Sequence, residues 1–597
     1  MKLSVVVPTF NRKPILERAL HALASQDLSP EQYELIVAVD GSTDGTVEML
    51  RAFQPECAFH YLEIPHGGPS AARNAGIRTA TGELILFLDD DLIAVPDLLR
   101  QHCESHVDSA PRVVHGPIYI SPESAETIIR YVSEEAYEGY YRSPDLKKEL
   151  RYPEAFGSSI AVLSSLANSS MPRELLIQCG GFDEQIRAAE DLELGLRLWR
   201  LGVSFAFLPN AIAREIHVKS SWEYLQWQSR TLAVGDIRAS RKHPEYRPYS
   251  LFSSLGETRL STKWLRNALV RFPLSPVPLL AFPLHFEKYY CRFLSLRRMG
   301  MRLLQIAERI TRLRSGKTAA GSWQALENEF GKRCPVLMYH HIGPSRPGAY
   351  RELTVSPEKF EQQIRWLSRW NYVAIQPSHW LRWRKEGAGL PQKPICITFD
   401  DAYEDIAEYA LPILRRYGFS AAVFVVTGEI AGTNAWDEAQ GSGTLRLMNA
   451  ETIRSWAAQG IEFGAHSRTH ADLTKLSASQ CRDEIAGSKS DLAAILGSPV
   501  LSFAYPYGEY NEAVCNIVRD EFELAFSTIE GLNDLQTDPH LIRRAAIGPD
   551  DSLLGFAMNV RFGGQRAIKD LRIKLGVRTR LKRALKRFSG TRNNATN

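Results

Sequence analysis

Two groups of carboxylates and one pair of histidines have types and spacings that could do chemistry. The run ELILFL ends in Asp89-Asp90-Asp91. Adjacent carboxylates repel and resist joint desolvation unless a cation sits among them. Hard divalent cations such as magnesium or manganese prefer such oxygen ligands. Taken alone, the triplet also fits a solvated acidic turn, but its neighbours argue for more. Asp40 closes another apolar run in VAVDGSTDGT, and HGGPSAARNAG places Arg73 in a glycine-bearing loop upstream of the triplet. GGFDEQIRAAEDLELGLRLWRLG puts Glu190-Asp191 at the start of an amphipathic helix. Taken alone, a carboxylate there fits stabilisation of the helix N-terminus by the dipole. In the second half, ITFDDAYED carries Asp400-Asp401 at a strand end, and FGAHSRTHADL spaces His466 and His470 four residues apart. On a helical turn that spacing lets both imidazoles reach one ion. Two histidines and one carboxylate leave a coordination position for water, and an adjacent carboxylate can act as base on that water.

These side chains must be positioned by secondary structure, and the pattern around them alternates. LSVVV suits a buried strand, and the segment after Pro14 places Ile15, Ala19, Leu20 and Leu23 on one helical face. YELIVAVD, FHYLEI and ELILFL read as further strands separated by helix-length segments, which implies parallel crossovers and an α/β sheet. Ligands of such sheets bind at the carboxyl ends of strands, where Thr9, Asp40 and Asp89–Asp91 lie. A second alternation begins near PVLMYH, with strands expected at Pro335–Met338, Ile395–Thr398, Ala421–Val426, Ser502–Ala504 and Leu524–Ser527. Between the halves the chain carries prolines, a basic helical stretch and GKTAAGS, which reads as a linker. The expected domains are 1–255, a 256–330 linker, 331–560, and a 561–597 tail.

The chain has 597 residues, 44% of them hydrophobic, with 72 basic against 68 acidic residues for a net charge of +4. That composition excludes a mainly disordered chain and does not mark a nucleic-acid binder. Eight scattered cysteines without a CxxC pair read as reduced thiols rather than a disulfide framework. The N-terminal apolar run is too short for a signal peptide. The uncharged segment Phe272–Phe286 carries four prolines and is shorter than the roughly 20 residues of a span, so it reads as buried or interfacial.

In order, VVVPTFNR, VDGSTDGT, GPSAARNAG, LFLDDD, GGFDE and AED resemble an inverting family 2 glycosyltransferase with the GT-A fold, over about residues 1–230. The resemblance implies a nucleotide-sugar donor, with Thr9, Asp40 and Arg73 contacting base and ribose. Asp89, Asp90 and Asp91 match the motif that holds ribose and a magnesium or manganese ion on the diphosphate, with Asp91 as metal ligand. Glu190 is expected among the nucleotide-sugar-binding residues, Asp191 matches the general base, and His217 stands near the place of a further metal ligand in some relatives.

PVLMYHHIG, VSPEKFEQQIRWL, ITFDDAYED, AHSRTH and FAYPYGEYNE resemble the polysaccharide deacetylases of carbohydrate esterase family 4, over about residues 333–550. That resemblance implies a distorted (β/α) barrel. It makes Asp401, His466 and His470 the ligands of zinc or another divalent transition metal, and Asp400 the general base. Tyr505 lies in the motif whose backbone helps hold the oxyanion. Two features depart from the family. The arginine of the third motif is absent from FAYPYG, and the late leucine-any-histidine motif that supplies the general acid has no match, His540 being out of register.

The expectation is an α/β protein of bacterial type with two activities: a hexosyl transfer from a UDP-sugar to a glycan or lipid-linked acceptor, and glycan N-deacetylation. The alternative is a glycosyltransferase whose second half is a glycan-binding module. Basic residues from Lys288 to Arg314, and eleven from Arg566 to Arg592 at amphipathic spacing, suit a peripheral contact with an anionic membrane surface. Nucleotide sugars then place both halves in the cytoplasm, at the inner face of the membrane.

Overall fold

A computed structural model describes residues 2–106, 111–141, 165–216, 219–255, 270, 275–344, 351–438 and 444–564. The described residues form two compact units, drawn from 1–252 with 258–326 and from 253–257 with 327–597.

In the first unit, β1 (Leu3–Thr9), β2 (Tyr33–Asp40), β3 (Ala58–Ile64) and β4 (Leu84–Phe87) pair in parallel in the order β3-β2-β1-β4. Three further strands are β6 (Arg112–His115), β8 (Ser169–Pro172) and β9 (Ser204–Phe207). They extend the sheet, with β8 antiparallel to both β4 and β6. β1 and β2 are buried along their whole length, as expected for strands covered on both faces. Val5 and Val7 enter one apolar cluster with the helix Lys13–Ala24, whereas Val6 and Ile36 enter the other. A small second sheet joins β5 (Leu92–Ala94), β10 (Ala213–Glu215) and β7 (Ile118–Ile120) in the order β5-β10-β7. It brings Glu215 opposite Leu92, next to Asp91.

The stretch expected as a linker packs with this unit. The helix Leu294–Ala319 buries Met301, Leu304, Ala307 and Ile310 in a cluster with Ile128 and Leu225. GKTAAGS does not start a flexible segment, because its first four residues finish that helix. A Cβ on Gly316 would lie 2.5 Å from the Phe252 ring, so the glycine serves close packing.

The second unit is an all-parallel sheet with the order β19-β18-β17-β16-β15-β11-β20. Its strands are β11 (Val336–Tyr339), β15 (Pro394–Phe399), β16 (Ala422–Val425), β17 (Glu462–Ala465), β18 (Ser502–Ala504), β19 (Leu524–Phe526) and β20 (Ala545–Ala546). Flanking helices such as Pro357–Arg369 and Ala478–Leu496 complete an open, distorted (β/α) barrel with one continuous core. Both units therefore have the α/β class expected from the sequence.

Candidate active sites

In the first unit the polar residues meet at the carboxyl ends of β1, β2 and β4. Thr9 donates to Asp90 at 2.8 Å, and Arg12 donates to Asp90 at 2.9 Å and Asp91 at 2.6 Å. Asp40 accepts from the backbone N–H groups of Gly67 (2.7 Å) and Gly68 (3.0 Å) and lies 2.9 Å from His66. The His66 ring stacks on the exposed ring of Phe10 at 4.5 Å. Arg73 is only 4% exposed. It binds Asp89 at 2.8 Å and Glu190 at 2.9 Å and lies 3.5 Å from Asp191. In this structure it organises carboxylates rather than facing an open base-binding surface. Arg12, the last residue of VVVPTFNR, and Glu215 also belong to the cluster, although the sequence alone assigned neither a role. Lys219 interacts electrostatically with Asp91, Glu215 and Asp89. His217 lies outside the described residues.

Burial raises Asp90, Asp91, Asp191 and Glu215. Asp90 is pushed up to about 6 by burial and by Asp91, against the opposing pull of Arg12 and Thr9. Glu215 rises to about 7 through burial and its repulsion by Asp91 and Asp89. Asp191 also rises to about 7, since burial, Glu190 and Asp89 together outweigh Arg73. Its Oδ1 is buried and accepts no hydrogen bond among the described residues, while Oδ2 accepts only a 3.4 Å bond from the N–H of Leu166. This carboxylate is little stabilised in its ionised form and poised near neutrality, as a general base requires. Arg12 pairs with Asp90 and Asp91 while Arg73 pairs with Asp89, and Glu215 adds a further carboxyl that Asp91 and Asp89 repel. A cation among these groups would relieve their mutual repulsion.

In the second unit Asp400 follows β15, His466 follows β17, and His340 follows β11, so all three stand at the same end of the parallel sheet. Nε2 of His466 and Nε2 of His470 lie 3.5 and 3.3 Å from the same Oδ1 of Asp401. The three candidate ligand atoms lie within 4.8 Å of one another, and all three residues are buried. His466 Nδ1 is 2.7 Å from the carbonyl of Ala504, which can only accept, so Nδ1 carries the proton and Nε2 is a bare lone pair. A lone pair aimed at a carboxylate oxygen is repulsive without a cation between them, and the donor set therefore fits a metal ion. Burial lowers both histidines, keeping them neutral as ligation requires.

The spacing of His466 and His470 works through a loop, not the helical turn expected. Ser467 and His470 both take left-handed backbone (φ 61° and 58°), and Ser467 accepts the His470 N–H at 3.0 Å. Asp401 and Ala402 are also left-handed, a concentration of strain that favours a functional origin. Arg544 donates to Asp400 at 2.6 Å and to the Ser527 carbonyl at 2.9 Å. Burial alone would raise Asp400, but Arg544, His466 and His340 bring it down to about 2. The arginine missing from FAYPYG is thus replaced by one from a different strand end.

Tyr505 directly follows β18 and is buried. Its N–H donates to Phe526 O at 3.2 Å within the sheet, and its buried hydroxyl donates to the His540 carbonyl at 3.0 Å. Tyr507 stands at the site instead, half exposed at φ 58°, with its ring 4.4 Å from that of His470. Trp436 stacks on His470 at 4.8 Å. His540 is turned away, with Nε2 2.8 Å from the Phe522 carbonyl.

Each of the two α/β units thus sets a cluster of carboxylates at the carboxyl ends of its strands. Residues 4–166 match the family model for glycosyl transferase family 2, and residues 387–521 match that for polysaccharide deacetylase. The chain carries an N-terminal family 2 glycosyltransferase domain and a C-terminal polysaccharide deacetylase domain. It is 32% identical over 273 residues to validoxylamine A glucosyltransferase of Streptomyces hygroscopicus subsp. limoneus, covering 41% of this chain and 58% of that one. The chain thus spans little more than half the length of that relative. It is 25% identical over 210 residues to poly-beta-1,6-N-acetyl-D-glucosamine N-deacetylase of Staphylococcus aureus, covering 34% of this chain and 70% of that one. Among solved structures, Streptococcus pyogenes deacetylase PplD in complex with acetate matches at 26% identity and a TM-score of 0.34, covering 38% of this chain and 98% of that one.

Proposed function

We propose that the protein is a bifunctional enzyme of glycan biosynthesis. The observation that supports this reading is that each unit sets a buried carboxylate, Asp191 or Asp400, beside further carboxylate or histidine side chains, which in the second unit could hold a metal ion.

In the first unit, a UDP-sugar lies across the ends of β1, β2 and β4, with its base near the Phe10–His66 stack and its ribose near Thr9 and Asp40. Asp89, Asp90 and Asp91, with Glu215, would hold magnesium or manganese, which when bound offsets charge developing on the leaving diphosphate. Arg12 then exchanges its carboxylate partners for the diphosphate oxygens. Asp191 takes the proton of the acceptor hydroxyl as it attacks, and a single displacement inverts the anomeric centre. Arg73 holds Asp191 and Glu190 in place.

In the second unit, Asp401, His466 and His470 would hold zinc or a similar ion, which when bound polarises the acetamide carbonyl and acidifies a water. Asp400 takes the proton of that water. His340 has its proton affinity pushed down to about 4 by burial, against the pull of Asp400. It is neutral at pH 7 and suited to relay that proton to the departing amine. Backbone around Tyr507 supplies donors to the oxyanion.

The lack of a late acid histidine favours a second reading, in which this unit only binds glycan. Purified protein given zinc, N-acetylglucosamine oligomers and a UDP-sugar separates the readings. Bifunctionality predicts acetate release that Asp400→Asn abolishes and nucleotide release that Asp191→Asn abolishes, each without affecting the other. Zinc and oligomer binding without acetate would leave the module reading.

A further inference from the structure

The segment 277–306 presents an unusual face. Val277, Ala281, Leu284, Cys291, Met301 and Leu304 point inward and are buried. Leu279, Phe282, Phe286, Tyr289, Phe293 and Leu294 point outward and are between 50% and 82% exposed. Isolated exposed apolar residues are ordinary, but a contiguous run of this size marks an interaction surface. The segment is held rigidly beneath. Buried Glu287 accepts from Ser221 Oγ at 2.6 Å and from the N–H of Ile128 at 2.9 Å, and Arg297 lies 3.8 Å over the Tyr131 ring. The aromatic face is therefore a fixed feature of the unit.

The exposed charges carried by the segment itself have one sign, although exposed Glu126 lies next to Cys291. Lys288, Arg292, Arg298 and Arg302 are exposed, whereas the one acid of 277–306, Glu287, is buried. Apolar side chains ringed by cations match the interface of an anionic lipid bilayer, where rings insert below the headgroups and guanidinium groups meet phosphate. Among the described residues no helix is long and apolar enough to cross a membrane, so the contact is with the surface. The basic stretch 566–592, with eleven lysines and arginines against one acid, carries the wrong charge to cover this rim.

We infer that the face formed by Leu279 to Arg302 docks the protein on anionic membrane by inserting Phe282, Phe286 and Phe293 among the headgroups. The inference stands apart from the two activities, although a lipid-linked acceptor would give it a use.

Co-sedimentation of the full chain with phosphatidylcholine vesicles, with and without phosphatidylglycerol, tests it. Binding should require phosphatidylglycerol and weaken with salt. It should fall about tenfold or more in Phe282→Ser/Phe286→Ser/Phe293→Ser and in Arg292→Glu/Arg298→Glu/Arg302→Glu. These changes are at exposed positions, so the melting curve and nucleotide release should stay as in the parent. Three results would overturn the inference: both variants binding as the parent does, binding lost only when the basic residues of 566–592 are replaced by glutamine, or a parent dimer that the phenylalanine variant converts to monomer. The last would make the face an interface with a second copy.

Discussion

Burial raises the proton affinity of both Asp191 and Asp400, yet they end far apart, at about 7 and about 2. Arg73 is shared among three carboxylates, whereas Arg544 binds Asp400 directly at 2.6 Å. Sugar transfer should fall as pH drops through about 7, because protonated Asp191 cannot accept a proton. Asp191→Asn should lower kcat by about 10²–10⁴-fold with nucleotide affinity retained, measured by turnover and by titration. Replacing Arg544 by Gln leaves a buried carboxylate without its cation, which costs on the order of 3–5 kcal/mol of stability. Where that variant folds, Asp400 rises, so the acid limb of deacetylation should move to higher pH. An unshifted limb would mean that Asp400 is not the base. The carboxylates and histidines were legible because they sit in compact motifs. Arg544 and Glu215 were not, since their partners lie 144 residues away and across a separate sheet, and a lone arginine or glutamate carries no mark of its distant neighbour.

Strand ends bring both centres together, and most of those strands announce themselves as apolar runs bounded by turns. PICITF is buried throughout and was read nearly whole as Ile395–Thr398. β17, which delivers His466, was missed because Gly464 interrupts its short pattern. The glycine has a packing reason: a Cβ there would lie 2.6 Å from both the Phe424 ring and Ser502 Oγ. Gly464→Val should therefore destabilise the second unit by about 1–3 kcal/mol and lower its zinc content, read by calorimetry and metal analysis. In the first unit, β6 and β8 join His115 to Ser169 at 2.8 Å, and His102 binds Asn168 and Ser170. Burial pushes His102 down to about 3 and His115 to about 4. The unfolded chain takes up protons near pH 6.5 while the folded one does not, so stability is full above that pH and declines below it towards pH 4. The melting temperature of the first unit should fall across that interval, and His102→Gln should flatten the fall. The loop holding His466 and His470 could not be read from spacing alone, because four-residue separation fits a helical turn as well as two left-handed residues.

At the scale of the whole chain, two α/β units carry a family 2 glycosyltransferase domain and a polysaccharide deacetylase domain. The order of motifs made that arrangement legible, while the packing of 277–319 against the first unit was obscured by prolines and a glycine-bearing stretch that resemble a linker. On the proposed bifunctional reading, joining the two domains in one chain raises the effective concentration of one unit's product near the other. The central claim is that the second unit is a working hydrolase, and acetate release from N-acetylglucosamine oligomers by zinc-loaded protein tests it most directly. The account predicts release by the parent, loss in Asp400→Asn with zinc still bound, and retention in Asp191→Asn. Parent protein that holds zinc at Asp401, His466 and His470 and binds oligomer, yet releases no acetate, would contradict it.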